Sequence, residues 1–134
     1  MTKLIDKVAW VHLEDGKILS TRSHGKDAFY LPGGKREPGE SDIETLLREV
    51  DEELTVTVLA GTVARLGIYE ARAHGRADDV TVRMTCYTGG FTGTLAPANE
   101  IAEIAWLTYA DRPRVSPVDQ LIFDDLHASA RLTT

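Results

Sequence analysis

Residues 34–56 read GKREPGESDIETLLREVDEELTV, and this stretch carries the clearest helix of the chain. Ser41 stands as an N-cap, Glu44 three residues later completes a capping-box pattern, and Asp42 suits the positive end of the helix. Ile43, Leu46, Leu47, Val50 and Leu54 recur at helical spacing and form one apolar stripe. The rest of the surface is acidic. Between Glu37 and Glu53 lie Glu37, Glu40, Asp42, Glu44, Glu49, Asp51, Glu52 and Glu53, with Arg48 as the only base among the helical positions. Glu49, Glu52 and Glu53 stand at i, i+3 and i+4, which puts their side chains next to one another. Repulsion within such a group costs about 0.2–0.5 kcal/mol per pair on a solvated helix, so crowding alone is compatible with an ordinary acidic surface. A hard divalent cation reverses the sign of that interaction, because Mg²⁺ takes oxygen ligands from one or two carboxylates, water and substrate phosphates.

Working outward, Pro32-Gly33-Gly34 precedes the helix and reads as a tight functional loop, entered from a short strand over Ala28–Leu31. Further upstream, the β-branched and aromatic run Lys7–Leu13, the turn residues Glu14-Asp15-Gly16 and the segment Lys17–Thr21 predict a hairpin. Downstream, strands are expected at Thr55–Leu59, within Val63–Ala71, at Val80–Tyr87 before Gly89-Gly90, and at Ile101–Leu107. A last helix starts at Ser116-Pro117 and buries Val118, Leu121, Ile122 and Leu126. Strands interrupted by one central and one terminal helix predict an α/β sandwich.

A length of 134 residues, with 43% hydrophobic and 27% charged residues, fits one ordinary globular domain spanning 1–134. The net charge of −6 argues against a protein that holds duplex nucleic acid by neutralising phosphates. Cys86 is the only cysteine, which excludes an intramolecular disulfide and a thiolate-rich metal site. Met1–Asp6 lacks the apolar run of a signal peptide and no 18 apolar residues follow one another, so a cytoplasmic protein without membrane contact is expected.

The quoted segment resembles the signature of the Nudix hydrolase family: a glycine, five residues, Glu, seven residues, then Arg-Glu-apolar-x-Glu-Glu-x-Gly-apolar. Gly34, Glu40, Arg48, Glu49, Val50, Glu52, Glu53 and Val56 occupy matching places, and the departure is Thr55 where the family has glycine. A glycine at such a helix end usually adopts a left-handed conformation that strains a β-branched residue by about 1–2 kcal/mol, so a rearranged turn is expected at Thr55. Thr55 neither adds nor removes a metal ligand. The β-rich flanks and the length also look like a minimal Nudix domain, which implies an α/β/α sandwich with a mixed β-sheet between helices.

The resemblance further implies hydrolysis of a pyrophosphate bond in a nucleoside diphosphate linked to another moiety, with Mg²⁺ or Mn²⁺ and water attacking phosphorus. Carried onto this chain, Glu49, Glu52 and Glu53 are the main metal ligands, Glu40 and the Gly34 carbonyl are additional ones, and Arg48 orients the acids with its forked guanidinium. Metal ions cancel the charge that protects a pyrophosphate and lower the pKa of bound water. Glu49 is the first candidate for general base, with Glu100 or Glu103 from a loop as alternatives. Arg22 and Lys26, with Gly33 and Gly34, are candidate phosphate contacts, although solvated basic side chains are as common.

Tyr30, Phe29, Tyr69 and Tyr87 are candidates to stack on a base, yet strand aromatics are more often core, as expected for Trp106. His12, His24, His74 and His127 share no ligand spacing, and Cys86 reads as buried and inert. Three other readings compete. A non-catalytic Nudix-like nucleotide sensor is disfavoured by the intact acid set. An isoprenoid diphosphate isomerase needs more thiol chemistry than Cys86 offers. A P-loop is excluded because Arg36 follows Lys35 and Phe29 stands where the first glycine belongs. Which nucleotide is cleaved is not written in any auxiliary motif, and similar proteins are frequently homodimers.

Overall fold

The computed structural model describes residues 3–73 and 79–134. His74 lies outside them. Among the described residues, nine strands and two α-helices follow in the order β1 (Lys3–Trp10), β2 (Leu13–Glu14), β3 (Lys17–Ser23), β4 (Gly33–Lys35), α1 (Asp42–Leu54), β5 (Thr57–Val58), β6 (Ala64–Arg72), β7 (Val80–Thr88), β8 (Phe91–Thr92), β9 (Ile101–Leu107) and α2 (Pro117–Ala128). Short 3₁₀ turns at Ala60–Thr62 and Tyr109–Arg114 complete the chain path.

The main sheet has the order β4-β1-β7-β6 and is mixed: β1 runs parallel to β7, while β4 and β6 are antiparallel to their neighbours. A second sheet, β2-β3-β9, is antiparallel, and β5 pairs with β8. The period of two along β1 divides the interior. Val8 and Trp10 join the α1 residues Leu46, Val50 and Leu54 in one apolar cluster. Ala9 and Val11 join Ile122, Phe123 and Leu126 of α2 in another. The two helices therefore cover opposite sides, and the expected α/β/α sandwich with its mixed sheet is present. Each large side chain buried this way contributes about 1.5–3 kcal/mol relative to exposure.

Several local expectations are corrected. The hairpin across Asp15-Gly16 joins only β2 to β3, because β1 is taken by β4 and β7. Ala28–Leu31 forms no strand; Tyr30 and Phe29 make single bridges to Thr21 and Val115. The strand expected over Thr55–Leu59 shrinks to Thr57–Val58. Leu121 is 40% exposed, and Phe123 takes the buried place on α2. Trp106 is 37% exposed on the edge strand β9, with the His12 ring edge-on beside it. Cys86 is buried, as expected.

Candidate active site

The site is built on the last two turns of α1. Its start is fixed by the full capping box: Ser41 Oγ accepts from the Glu44 N–H at 3.2 Å and the Glu44 carboxylate accepts from the Ser41 N–H at 2.9 Å. Leu46, Val50 and Leu54 anchor the inner face, and Ile43 is left exposed. With that rotation about the helix axis set, Glu49 and Glu53 point along β4 toward the glycine loop. The Glu53 carboxylate accepts the Gly33 N–H at 3.0 Å. A Cβ on Gly33 would collide with the Val8 carbonyl, and one on Gly34 would lie 2.6 Å from the Glu49 carboxyl carbon. Both glycines are therefore required by close approach, Gly33 to the neighbouring strand and Gly34 to the acid.

Carboxylate oxygens of Glu49, Glu53 and Glu100 all lie within 4.8 Å of one another. Glu100 arrives from the loop before β9, 47 residues after Glu53, and the chain holds it there by satisfying orphan carbonyls at the end of α1. The Ala96 N–H donates to the Leu54 carbonyl at 3.1 Å, the Ala98 N–H to Glu53 at 3.0 Å and the Asn99 amide to Glu52 at 2.6 Å. Asn99 itself sits at φ 53°, a conformation asparagine tolerates. No local pattern links this loop to the helix, so the sequence offers Glu100 only as an alternative proton acceptor.

Glu53 is 7% exposed. Burial pushes its carboxyl up to about 8, with Glu49 and Glu100 adding to the shift and the Gly33 N–H opposing it. Burial also raises Glu49, against the pull of Arg48. Glu49 and Glu53, whose charges burial disfavours, thus converge with Glu100 into a donor set that suits a hard divalent cation.

Arg48 organises the outer side. Its guanidinium donates to both oxygens of Glu40 (2.6 and 2.8 Å), to Glu49 at 2.7 Å and to the Lys35 carbonyl at 3.1 Å. This is a forked clamp between the loop and the helix, a firmer arrangement than an isolated surface pair. Glu40 also accepts from the Glu37 N–H and the Thr45 hydroxyl, and these charge-assisted bonds hold it at about 2. With its oxygens occupied this way, Glu40 stands outside the converging group. Glu52 stands outside it too, with a carboxylate oxygen 3.7 Å from Arg48 and half of the side chain in solvent. Arg22 is tied to Glu103 at 2.7 Å and to the Lys26 carbonyl at 3.0 Å, and it lines a neighbouring groove rather than the carboxylate site.

A cleft of about 650 Å³ opens beside Gly33 and Glu53, bounded by Ile5, Lys7 and Met84 on the sheet side and by Tyr30 and Val118 opposite. Of the aromatics singled out above, Tyr30 alone lines it. Phe29 is core, and the Tyr69 and Tyr87 hydroxyls donate to Asp125 and Asp42. A family model described as NUDIX domain matches residues 5–126.

The chain belongs to the Nudix family. The solution structure of the E. coli ORF135 protein is similar at 28% identity and a TM-score of 0.72, over 96% of this chain and 94% of that one. A NUDIX hydrolase from Nitrosomonas europaea is similar at 26% identity and 0.74, over 98% and 93%. A MutT NUDIX hydrolase from Burkholderia pseudomallei shares the fold, with a TM-score of 0.75 at 18% identity over 91% and 97%. No curated protein sequence matches. As a Nudix hydrolase the chain falls in a class that splits pyrophosphate bonds in small nucleotide derivatives and generally uses divalent metals.

Proposed function

We propose that this Nudix hydrolase cleaves a nucleoside diphosphate linked to a further group, including nucleoside triphosphates, at a Mg²⁺- or Mn²⁺-loaded site. The convergence of Glu49, Glu53 and Glu100 beside the 650 Å³ cleft is the observation that carries this reading. Glu49, Glu53 and Glu100 would hold the metal, with Glu52 joining by rotation from the exposed side of the same helix and the Gly34 carbonyl available on the loop. When bound, a divalent ion supplies charge neutralisation of the diphosphate and a lowered pKa for the attacking water.

The remaining work falls to the chain. Arg48 fixes the Glu49 carboxylate through one oxygen and leaves the other for proton acceptance, which keeps Glu49 as the proposed general base. Gly33 gives its N–H to Glu53 and Gly34 lets the loop lie against Glu49, so substrate phosphates meet backbone there rather than side chains. The cleft takes the nucleoside end. Arg22, bonded to Glu103, is proposed only as an outer phosphate contact, reached if that ion pair opens.

The test is a panel of nucleoside triphosphates, nucleotide sugars and dinucleotides, assayed for monophosphate release with Mg²⁺, with Mn²⁺ and with EDTA. Metal-dependent release of a nucleoside monophosphate is expected. Glu53→Gln and Glu49→Gln should lose at least a hundredfold, and Glu52→Gln, at the margin of the group, at least tenfold while remaining folded. Binding of nucleotides without turnover under every metal condition would replace this reading with that of a nucleotide sensor.

A further inference from the structure

Along β1 the face that turns toward α2 carries Ile5, Lys7, Ala9 and Val11, so a lysine interrupts an otherwise apolar row. Lys7 lies opposite Met84 of β7 and lines the cleft beside Glu53. The residue is half-buried, and its ammonium stands 5.8 Å from the centre of the Tyr30 ring and makes no hydrogen bond or ion pair among the described residues. The two carboxyls whose ionisation its charge favours take their hydrogen bonds from other donors: Glu53 accepts from Gly33, and Asp119 accepts from the Ser116 hydroxyl at 2.9 Å through one oxygen, its other oxygen being buried without a hydrogen bond. Asp119 is fully buried, below the cleft wall formed by Ser116–Val118, and Lys7 is one of three cations lining the cleft, with Lys26 and the Asp79-paired Arg72.

The Tyr30 ring faces this ammonium but accepts none of its three N–H bonds, and a methionine would fill the same space on this face without leaving donors unused. The lysine is accounted for if a ligand supplies the acceptor. From this placement we infer that Lys7 is a specificity-determining residue that donates to a carbonyl oxygen of the substrate's nucleobase. The inference rests on the proposed nucleotide hydrolysis. Phosphate is the weaker alternative occupant: Lys26 and Arg72 line the same cleft, but so do Ile5, Val82 and Met84, and these apolar walls would strip an anion of water. A flat ring suits those walls and the Tyr30 face.

Lysine has three donors and no acceptor, so it discriminates by what it cannot bind. Guanine, uracil and cytosine offer carbonyl oxygens; adenine offers only ring nitrogens and an amino group that is itself a donor. The experiment is kcat/KM for GTP, UTP, CTP and ATP, measured on the wild type, Lys7→Met and Lys7→Arg with Mg²⁺. The wild type should favour at least one carbonyl-bearing base over adenine by tenfold or more. Lys7→Met should reduce that ratio below threefold, mainly through KM, and Lys7→Arg should retain most of it. Equal loss on all four nucleotides would make Lys7 a phosphate contact and overturn the inference, as would an unchanged ratio or a wild type without preference. Thermal melts of each variant separate misfolding from lost recognition. If the wild type hydrolyses none of the four, triphosphates are not its substrates, and the same ratio taken from equilibrium binding of the four nucleotides decides the role of Lys7.

Discussion

Glu53 is held where its ionised form is least welcome, and that has a measurable consequence in the metal-free protein. The unfolded carboxyl titrates near its ordinary value of 4.5 and the folded one at about 8, so between these the folded state binds more protons. Stability from this group is therefore full below pH 4.5, falls as pH rises, and reaches its minimum above pH 8. Asp119, pushed up by burial to about 7, acts in the same direction. Glu40, held down at about 2 by Arg48, has the opposite sign and matters only in acid. Glu53→Gln keeps an acceptor for the Gly33 N–H and removes the charge, so in EDTA it should raise stability on the order of 2 kcal/mol at pH 9 and by almost nothing at pH 4. Urea midpoints at the two pH values check this. An equal change at both would mean that the charge is not what destabilises the site.

At the scale of the element, α1 ends where its sequence departs from the family pattern. The turn is not rearranged around Thr55. The residue takes the left-handed conformation at φ 60° that a glycine would occupy, its N–H donates to the Asp51 carbonyl at 2.9 Å, and its hydroxyl donates to the Thr94 carbonyl at 3.1 Å. The hydroxyl bond offsets part of the backbone strain, which is how a β-branched residue is tolerated. Comparing Thr55→Gly with Thr55→Ala isolates the strain, since both remove the hydroxyl and only alanine keeps a Cβ. The glycine variant should be more stable than the alanine variant by about 1 kcal/mol and should lie within about 1 kcal/mol of the wild type, read by chemical denaturation. Identical midpoints for glycine and alanine would show that the left-handed turn is not maintained.

This helix also shows what a sequence makes legible. The capping box and the inner apolar stripe act within four residues, so local spacing determined the position of Glu49 and Glu53. Glu100, the partners of β1 and the lysine in the cleft depend on contacts dozens of residues apart, and nothing local encodes them. Ile43 and Leu121 misled for a related reason: helical spacing marks a face, but the width of that face covered by neighbours is a tertiary matter.

Over the whole molecule, the three carboxylates come from two sheets that share apolar clusters, Ile18 and Leu107 packing with Ala9 and Met84, and Leu19 with Trp10 and Leu46. Glu49 and Glu53 sit on α1, packed against the main sheet, and Glu100 leads into β9 of the second sheet. The loop from Ala96 to Asn99 is fastened to α1 by three hydrogen bonds, and the acids it brings together repel one another when no cation is bound. A bound ion therefore cross-links the two sheets as well as preparing the site, so Mg²⁺ or Mn²⁺ should raise Tm. At a concentration a hundred times Kd the stabilisation is about 2.7 kcal/mol, a shift of several degrees for a chain of this length. Because the carboxyls must ionise to bind, the shift should be larger at pH 8.5 than at pH 6. Glu100→Gln should reduce it while leaving the melting of the EDTA-treated protein equal to or above that of the wild type, since one repelling charge is gone. Should Glu100→Gln melt earlier in EDTA and keep the full metal-induced shift, Glu100 would be a structural residue of the loop, and the metal group would rest on α1 alone.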